Sequence, residues 1–267
     1  MASLAQNKDT VGAIVGLFFF LPYLAIALLA PDANTATTGI APGASPDDAM
    51  RDMLDQMSAV YAENWPYLLA VTVMQFIGSL SLLALLGNED SPTVGEALRR
   101  GLGAAPSYFM AQLLSAVFVA FVIGVPLGLV AFLAPGLAVA VAVFALLALV
   151  IYFVVKFALI APVIAIDRER NPIRALRRSW RLTKGNSLRI AIFMVLLFVT
   201  MAIVTGLFSV VMGLVFALFD KGIADIGNAL VASLVNALIA VVFLVVLAAI
   251  HRQLSGPTRE QLASTFE

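Results

Sequence analysis

Residues 171 to 186 read NPIRALRRSWRLTKGN and gather Arg174, Arg177, Arg178, Arg181 and Lys184 within eleven positions. Guanidinium and ammonium groups at that density are suited above all to holding phosphate, Arg through its planar fork and Lys as a compact point charge. The flanking residues predict a helix: Asn171 is placed to cap it, Pro172 suits its first turn, and Gly185 stands where it would stop. At 100° per residue, Ile173, Leu176, Trp180 and Thr183 fall within an arc of about 80°, and the five cations occupy an adjoining arc of about 120°. The pattern predicts a helix lying on a membrane surface, with Trp180 as interfacial anchor in the acyl boundary and the cations as contacts to lipid phosphates. A second basic turn, SPTVGEALRRGLGAAPSYF from residue 91, repeats the tetrad ALRR, with Ala97 to Arg100 matching Ala175 to Arg178 and with Arg99 and Arg100 as secondary candidates. Internal duplication and convergent use of a basic interfacial turn both account for four matching residues.

Other chemistry is thinly represented. The chain has no cysteine and one histidine, His251, which excludes disulfides, iron–sulfur clusters, thiol nucleophiles and a metal site built from imidazoles. No nucleophile, base and metal constellation is visible, so no enzyme activity is expected, and no catalytic, metal or cofactor residue is assigned. Met50, Met53, Leu54, Met57 and Val60 follow helical spacing after Ser45, Pro46, Asp47 and Asp48. They predict a short amphipathic helix, on the outer face or leading into the second span, in which methionine packs rather than binds a soft metal.

The elements that carry these residues are set by hydropathy. Of 267 residues 62% are hydrophobic and only 12% charged, with a mean hydropathy of +1.02. Apolar runs at about 11 to 30, 64 to 87, 105 to 134, 137 to 166, 188 to 219 and 226 to 250 reach the roughly 20 residues that cross a hydrocarbon core. The fold class is therefore all-α: a polytopic bundle of six transmembrane helices with short interfacial amphipathic helices, forming one domain over residues 1 to 267. Pro135 and Gly136 supply the turn between the third and fourth spans. The first apolar stretch is longer than a signal-peptide core and follows Lys8 paired with Asp9, so it is read as a retained span. Thirteen cations fall on the side holding residues 168 to 189 and both termini, against Arg51 and Lys221 on the other side. That asymmetry places both termini in the cytoplasm. Tyr61, Trp65 and Tyr67 then sit at the outer mouth of span two, at headgroup level.

Polar residues within the spans have structural readings. Lys156 lies roughly 30 Å along the fourth span at about 1.5 Å per residue, so it is expected to snorkel to the cytoplasmic headgroups, with Pro162 kinking the turns beyond it. Gln75, Gln112, Asn228 and Asn236 are expected to bond between helices. Gly12 with Gly16 and Gly124 with Gly128 have the spacing of close helix approach, and His251 beside Arg252 reads as a cation at a helix C-terminus.

The order APVIAID, NPIRALRRSWRLTKGN and a long apolar span resembles the membrane domain attached to bacterial glycerophosphoryl diester phosphodiesterases, and uncharacterised six-span inner-membrane proteins. The matching positions are Pro162, Asp167, Ala175, Leu176, Arg177, Arg178, Ser179, Trp180, Leu182, Thr183, Gly185 and Asn186. The resemblance implies a membrane domain. The phosphodiesterase barrel is not within these residues, so its activity is not carried over. The expected function is a non-catalytic membrane protein that organises or binds anionic lipid, or supports a protein partner or second copy at the cytoplasmic face. The alternative is a small transporter or lipid translocator. No nucleic-acid partner is expected.

Overall fold

A computed structural model describes residues 8–29, 46–87, 93–133 and 138–256. Every regular element among them is helical: α1 Lys8–Val15, a π-helical turn Gly16–Phe20, α2 Leu21–Leu29, α3 Pro46–Gly87, α4 Val94–Leu133, α5 Ala138–Phe157, α6 Ile160–Ala165, α7 Pro172–Thr183, α8 Ser187–Phe216 and α9 Lys221–Ser255. Six stretches are long and apolar enough to cross a membrane: Asp9–Leu28, Leu54–Gly87, Val94–Pro126, Ala148–Ala165, Ser187–Phe216 and Lys221–Ser255. On α8 many large apolar side chains face outward, among them Leu188, Phe198, Leu207 and Leu214. That surface matches hydrocarbon rather than water.

Two prolines set the irregularities. Pro22 cannot donate to the Phe18 carbonyl, and the turn before it widens so that the Leu21 N–H reaches Gly16 O instead. Pro162 acts likewise on the fourth span, whose helix breaks at Ala158 and Leu159, beyond Lys156 as expected. The break precedes Pro162 because the missing N–H belongs to the carbonyl four residues back. The amphipathic stretch from Pro46 is the first part of α3 and runs without interruption into the second span. Ser45, Pro135 and Gly136, and the side chains of Met50, Met53 and Met57, lie outside the described residues.

Packing divides the chain into two compact units, whose described residues fall within 79–200 and 243–256 for the first and within 8–78 and 201–242 for the second. In the first, Val155, Leu159, Ile190, Met194 and Leu247 form a buried apolar cluster, and Leu159 to Ile164 are buried throughout. In the second, Gly78 lets Phe18 pack directly on the α3 backbone, since a Cβ there would stand 2.4 Å from Phe18 Cβ. Gly227 does the same for the Phe216 ring. Gly12, Gly16, Gly124 and Gly128 have nothing within 4 Å of their Cβ positions, so these pairs make no close helix contact among the described residues. Two of the amides bond within their own helices: Asn236 Nδ2 donates to Ala232 O at 2.9 Å, and Gln112 Oε1 accepts from Ser115 Oγ at 3.5 Å. An amide one turn from a carbonyl needs no partner helix.

Candidate functional site

The basic residues of the first unit are built on α7, on the start of α4 and on the loop 166–171. Helix α7 forms as its flanks dictate. Asn171 Oδ1 accepts from the N–H groups of Ile173 and Arg174 at 3.0 and 3.2 Å, satisfying two donors of the first turn. Glu169 Oε1 accepts from the Asn171 N–H at 3.1 Å and steadies the cap. At the other end Gly185 takes φ +90°, a conformation glycine adopts without steric cost.

The face of α7 that packs on protein is a stripe of small residues beside the apolar face: Ala175, Ser179 and Thr183 are fully buried, while Ile173 is 53% exposed. Small residues four apart let α7 lie close against α5 and α6, and Ser179 Oγ donates to the Lys156 carbonyl at 2.7 Å. That carbonyl is in the last turn of α5, where in-helix donors run out. Hydropathy weights the large side chains, so this stripe of small residues was not seen as the packing face.

Trp180 is half-buried and packs on protein. Its ring stands 5.8 Å from Tyr152, 6.3 Å from Phe153 and 5.9 Å from Phe157, all on α5. Lys156 is 3% exposed, with Nζ 5.1 Å from the centre of the Trp180 ring and 5.5 Å from that of Tyr152. The snorkelling expected of Lys156 is therefore replaced by a cation held over two aromatic faces. Trp180 thus ties α7 to α5 through this aromatic cluster.

The five cations of the α7 stretch are all exposed, but they do not share one environment. Arg178 Nε lies 2.7 Å from Asp167 Oδ2, and His251 Nε2 lies 3.0 Å from the same oxygen. Arg178 is the cation nearest the buried stripe, about 60° round the helix from Ala175, which is why it reaches inward. His251 is 1% exposed. A carboxylate only accepts, so His251 Nε2 carries the proton of that hydrogen bond, and Nδ1 is left buried without a partner. His251 thus ties α9 to the loop, and the end-cap reading gives way. The neighbouring Arg252 takes up an end-of-helix role, donating to the Leu86 carbonyl at the end of α3. Arg174, Arg177, Arg181 and Lys184 have no carboxylate partner among the described residues.

The second basic turn opens α4 with a capping box that sequence inspection passed over. The Thr93 N–H donates to Glu96 Oε2 at 3.3 Å and the Glu96 N–H to Thr93 Oγ1 at 3.4 Å. The tetrad ALRR plays one local part in both places: Ala97 and Ala175 are fully buried, and the arginine pairs Arg99–Arg100 and Arg177–Arg178 face outward.

Between α3, α4 and α6 the loop forms a cavity of about 180 Å³ lined by Arg100, Arg168 and Arg170 over an apolar floor. Arg168 adopts φ +57°, a left-handed conformation costing a residue with a side chain roughly 1–2 kcal/mol. The surroundings hold it there. The Ile166 N–H donates to Pro162 O at 2.7 Å, Ser107 Oγ donates to Arg170 O, and Asp167 is fixed by Arg178 and His251. Gly87 leaves room for Ile166, whose Cγ atoms would stand 2.8 Å from an added Cβ. Among the described residues no three His, Cys, Asp or Glu side chains cluster as metal ligands.

Over residues 21–254 the chain matches the model of a family described as a domain of unknown function, DUF7847, and it belongs to that family. No curated protein and no solved structure matches it.

Proposed function

We propose that this member of the DUF7847 family is a non-catalytic module of the cytoplasmic membrane, with both termini in the cytoplasm, that holds anionic lipid along a basic face. The observation carrying the reading is that Arg174, Arg177, Arg181 and Lys184 stand exposed on or beside a capped helix with no carboxylate partner among the described residues. The packing of α7 uses none of these four cations, which leaves them open to an anionic ligand. Each cation near an anionic surface contributes about 1 kcal/mol before screening, so the four together supply roughly 4 kcal/mol. Six apolar helices already make attachment to the bilayer effectively permanent. The energy therefore serves selection of lipid rather than anchoring, and the same face offers an acidic protein partner a complementary surface. The resemblance of residues 161 to 186 to the membrane domain attached to glycerophosphoryl diester phosphodiesterases is in keeping with a membrane module.

The competing account is that the cations only orient the chain during insertion. To separate the two, Arg174, Arg177 and Arg181 are changed to Gln together. Topology is checked with a phosphatase reporter active only outside the cytoplasm, fused after residue 40 and after residue 180. Activity is expected from the first fusion only, and anionic lipid co-purifying with the variant is expected to fall below the parent's. Equal lipid in the two proteins would leave only the orienting role.

A further inference from the structure

We propose that Arg100, Arg168 and Arg170 form a discrete site for one phosphate group, carried by a lipid headgroup or by a small soluble phosphate. The site deepens the anionic-lipid reading by giving one ligand an address, and rests on it only for the side from which the ligand arrives. None of its three arginines belongs to α7.

The loop sequence explains how a neutral tetrad makes a cationic cavity. Residues 167 to 170 read Asp, Arg, Glu, Arg. Both acids are committed to the fold, Asp167 to Arg178 and His251 and Glu169 to the backbone N–H of Asn171. Neither lines the cavity, whereas both arginines do, and α4 adds Arg100. No carboxylate partner for any of the three is found among the described residues. Three arginines lining one cavity with no carboxylate partner among the described residues suit phosphate, which accepts paired N–H donors in the plane of a guanidinium fork.

Size and shape agree with that ligand. A cavity of about 180 Å³ exceeds the roughly 150 Å³ that accommodates a benzene-sized guest. Its floor includes buried Leu80, Ala84 and Ile164, which suits the carbon atoms next to a phosphate ester. The left-handed Arg168 is a second, independent mark. Backbone strain at a side-chain-bearing residue persists where the surroundings over-determine it, and it concentrates at ligand sites. Glycine would satisfy that φ without strain, yet the position holds arginine.

The test uses the full chain purified in nonionic detergent, titrated calorimetrically with inorganic phosphate and, separately, with phosphatidylglycerol in mixed micelles. Arg168→Gly preserves the loop conformation and Arg100→Gln changes a helix surface, so both variants are expected to fold. The parent is expected to bind one equivalent of a phosphate-bearing probe. Either cleft variant should bind inorganic phosphate, or the one saturable equivalent of lipid, about tenfold or more weakly, whereas Arg174→Gln/Arg177→Gln/Arg181→Gln, whose cations lie outside the cavity, should keep that equivalent and lose only the further lipid gathered along α7. Uptake of the lipid alone assigns the site to a headgroup, and equal uptake of inorganic phosphate assigns it to a soluble phosphate. The proposal is overturned if the parent binds neither probe at one equivalent, or if both cleft variants bind as tightly as the parent. The wider lipid reading is measured by lipid retained on the α7 triple variant, so either idea can fail while the other stands.

Discussion

The two ALRR tetrads begin alike and end differently. In each a fully buried alanine sets the helix against its neighbours and turns two arginines outward. In α7 the second arginine, Arg178, meets Asp167 and becomes a tie within the fold. In α4 the second arginine, Arg100, faces a cavity whose other charged residues are Arg168 and Arg170. Both tetrads sit on capped helices, so the local sequence does not decide between tie and ligand site. What lies opposite decides it, and one loop supplies both answers: its Asp167 meets α7 and α9, and its arginines line the cavity beside α4.

Removing the acid that distinguishes the two tetrads is expected to have the largest effect on stability. Asp167→Ala leaves the His251 Nε2–H buried without an acceptor and Arg178 without its counter-ion. An orphaned buried donor costs about 1–3 kcal/mol, and a half-exposed ion pair adds under about 1 kcal/mol. A fall of about 2–3 kcal/mol in stability is expected in detergent, and Arg178→Gln alone should cost much less. Equal losses for Asp167→Ala and Arg178→Gln would show that His251 contributes nothing and that the tie is a surface pair. Next in size is Asn171→Ala, which removes an acceptor serving two N–H groups and should cost about 1 kcal/mol. Asn171→Asp, which keeps the acceptor, should recover most of the loss by thermal unfolding.

The spans, the cap of α7 and the stop at Gly185 were legible because each is a local rule: about 20 apolar residues, an Asn–Pro start, a glycine at positive φ. The placing of Trp180 and Lys156 was not. Hydropathy assigns a tryptophan beside cations to the interface and a lysine near a span end to the headgroups. The aromatic faces that hold Lys156 come from two different helices. The Asp167–His251 bond joins residues 84 apart, a separation at which no periodicity carries information. The role of Asp167 could be suspected only from a carboxylate set among arginines. The Arg168 conformation has no sequence signature at all, because the residue types favouring left-handed backbone are Gly, Asn and Asp.

The smallest expected effect lies at the other tetrad. Thr93 and Glu96 cap α4 through bonds of 3.3 and 3.4 Å, longer than the two that Asn171 accepts and fully exposed. Thr93→Ala should therefore cost about 0.5 kcal/mol, at the low end for a lost N-cap. Fraying after that loss is confined to the first turn, because Ala97 is fully buried and pins the second turn, from which Arg100 reaches the cavity. Thr93→Ala is thus expected to lower the unfolding midpoint slightly while leaving phosphate uptake at the parent's level. If uptake falls as far as it does in Arg100→Gln, Arg100 is positioned by the cap rather than by the buried alanine. The likeness of the two tetrads would then stop at their sequence.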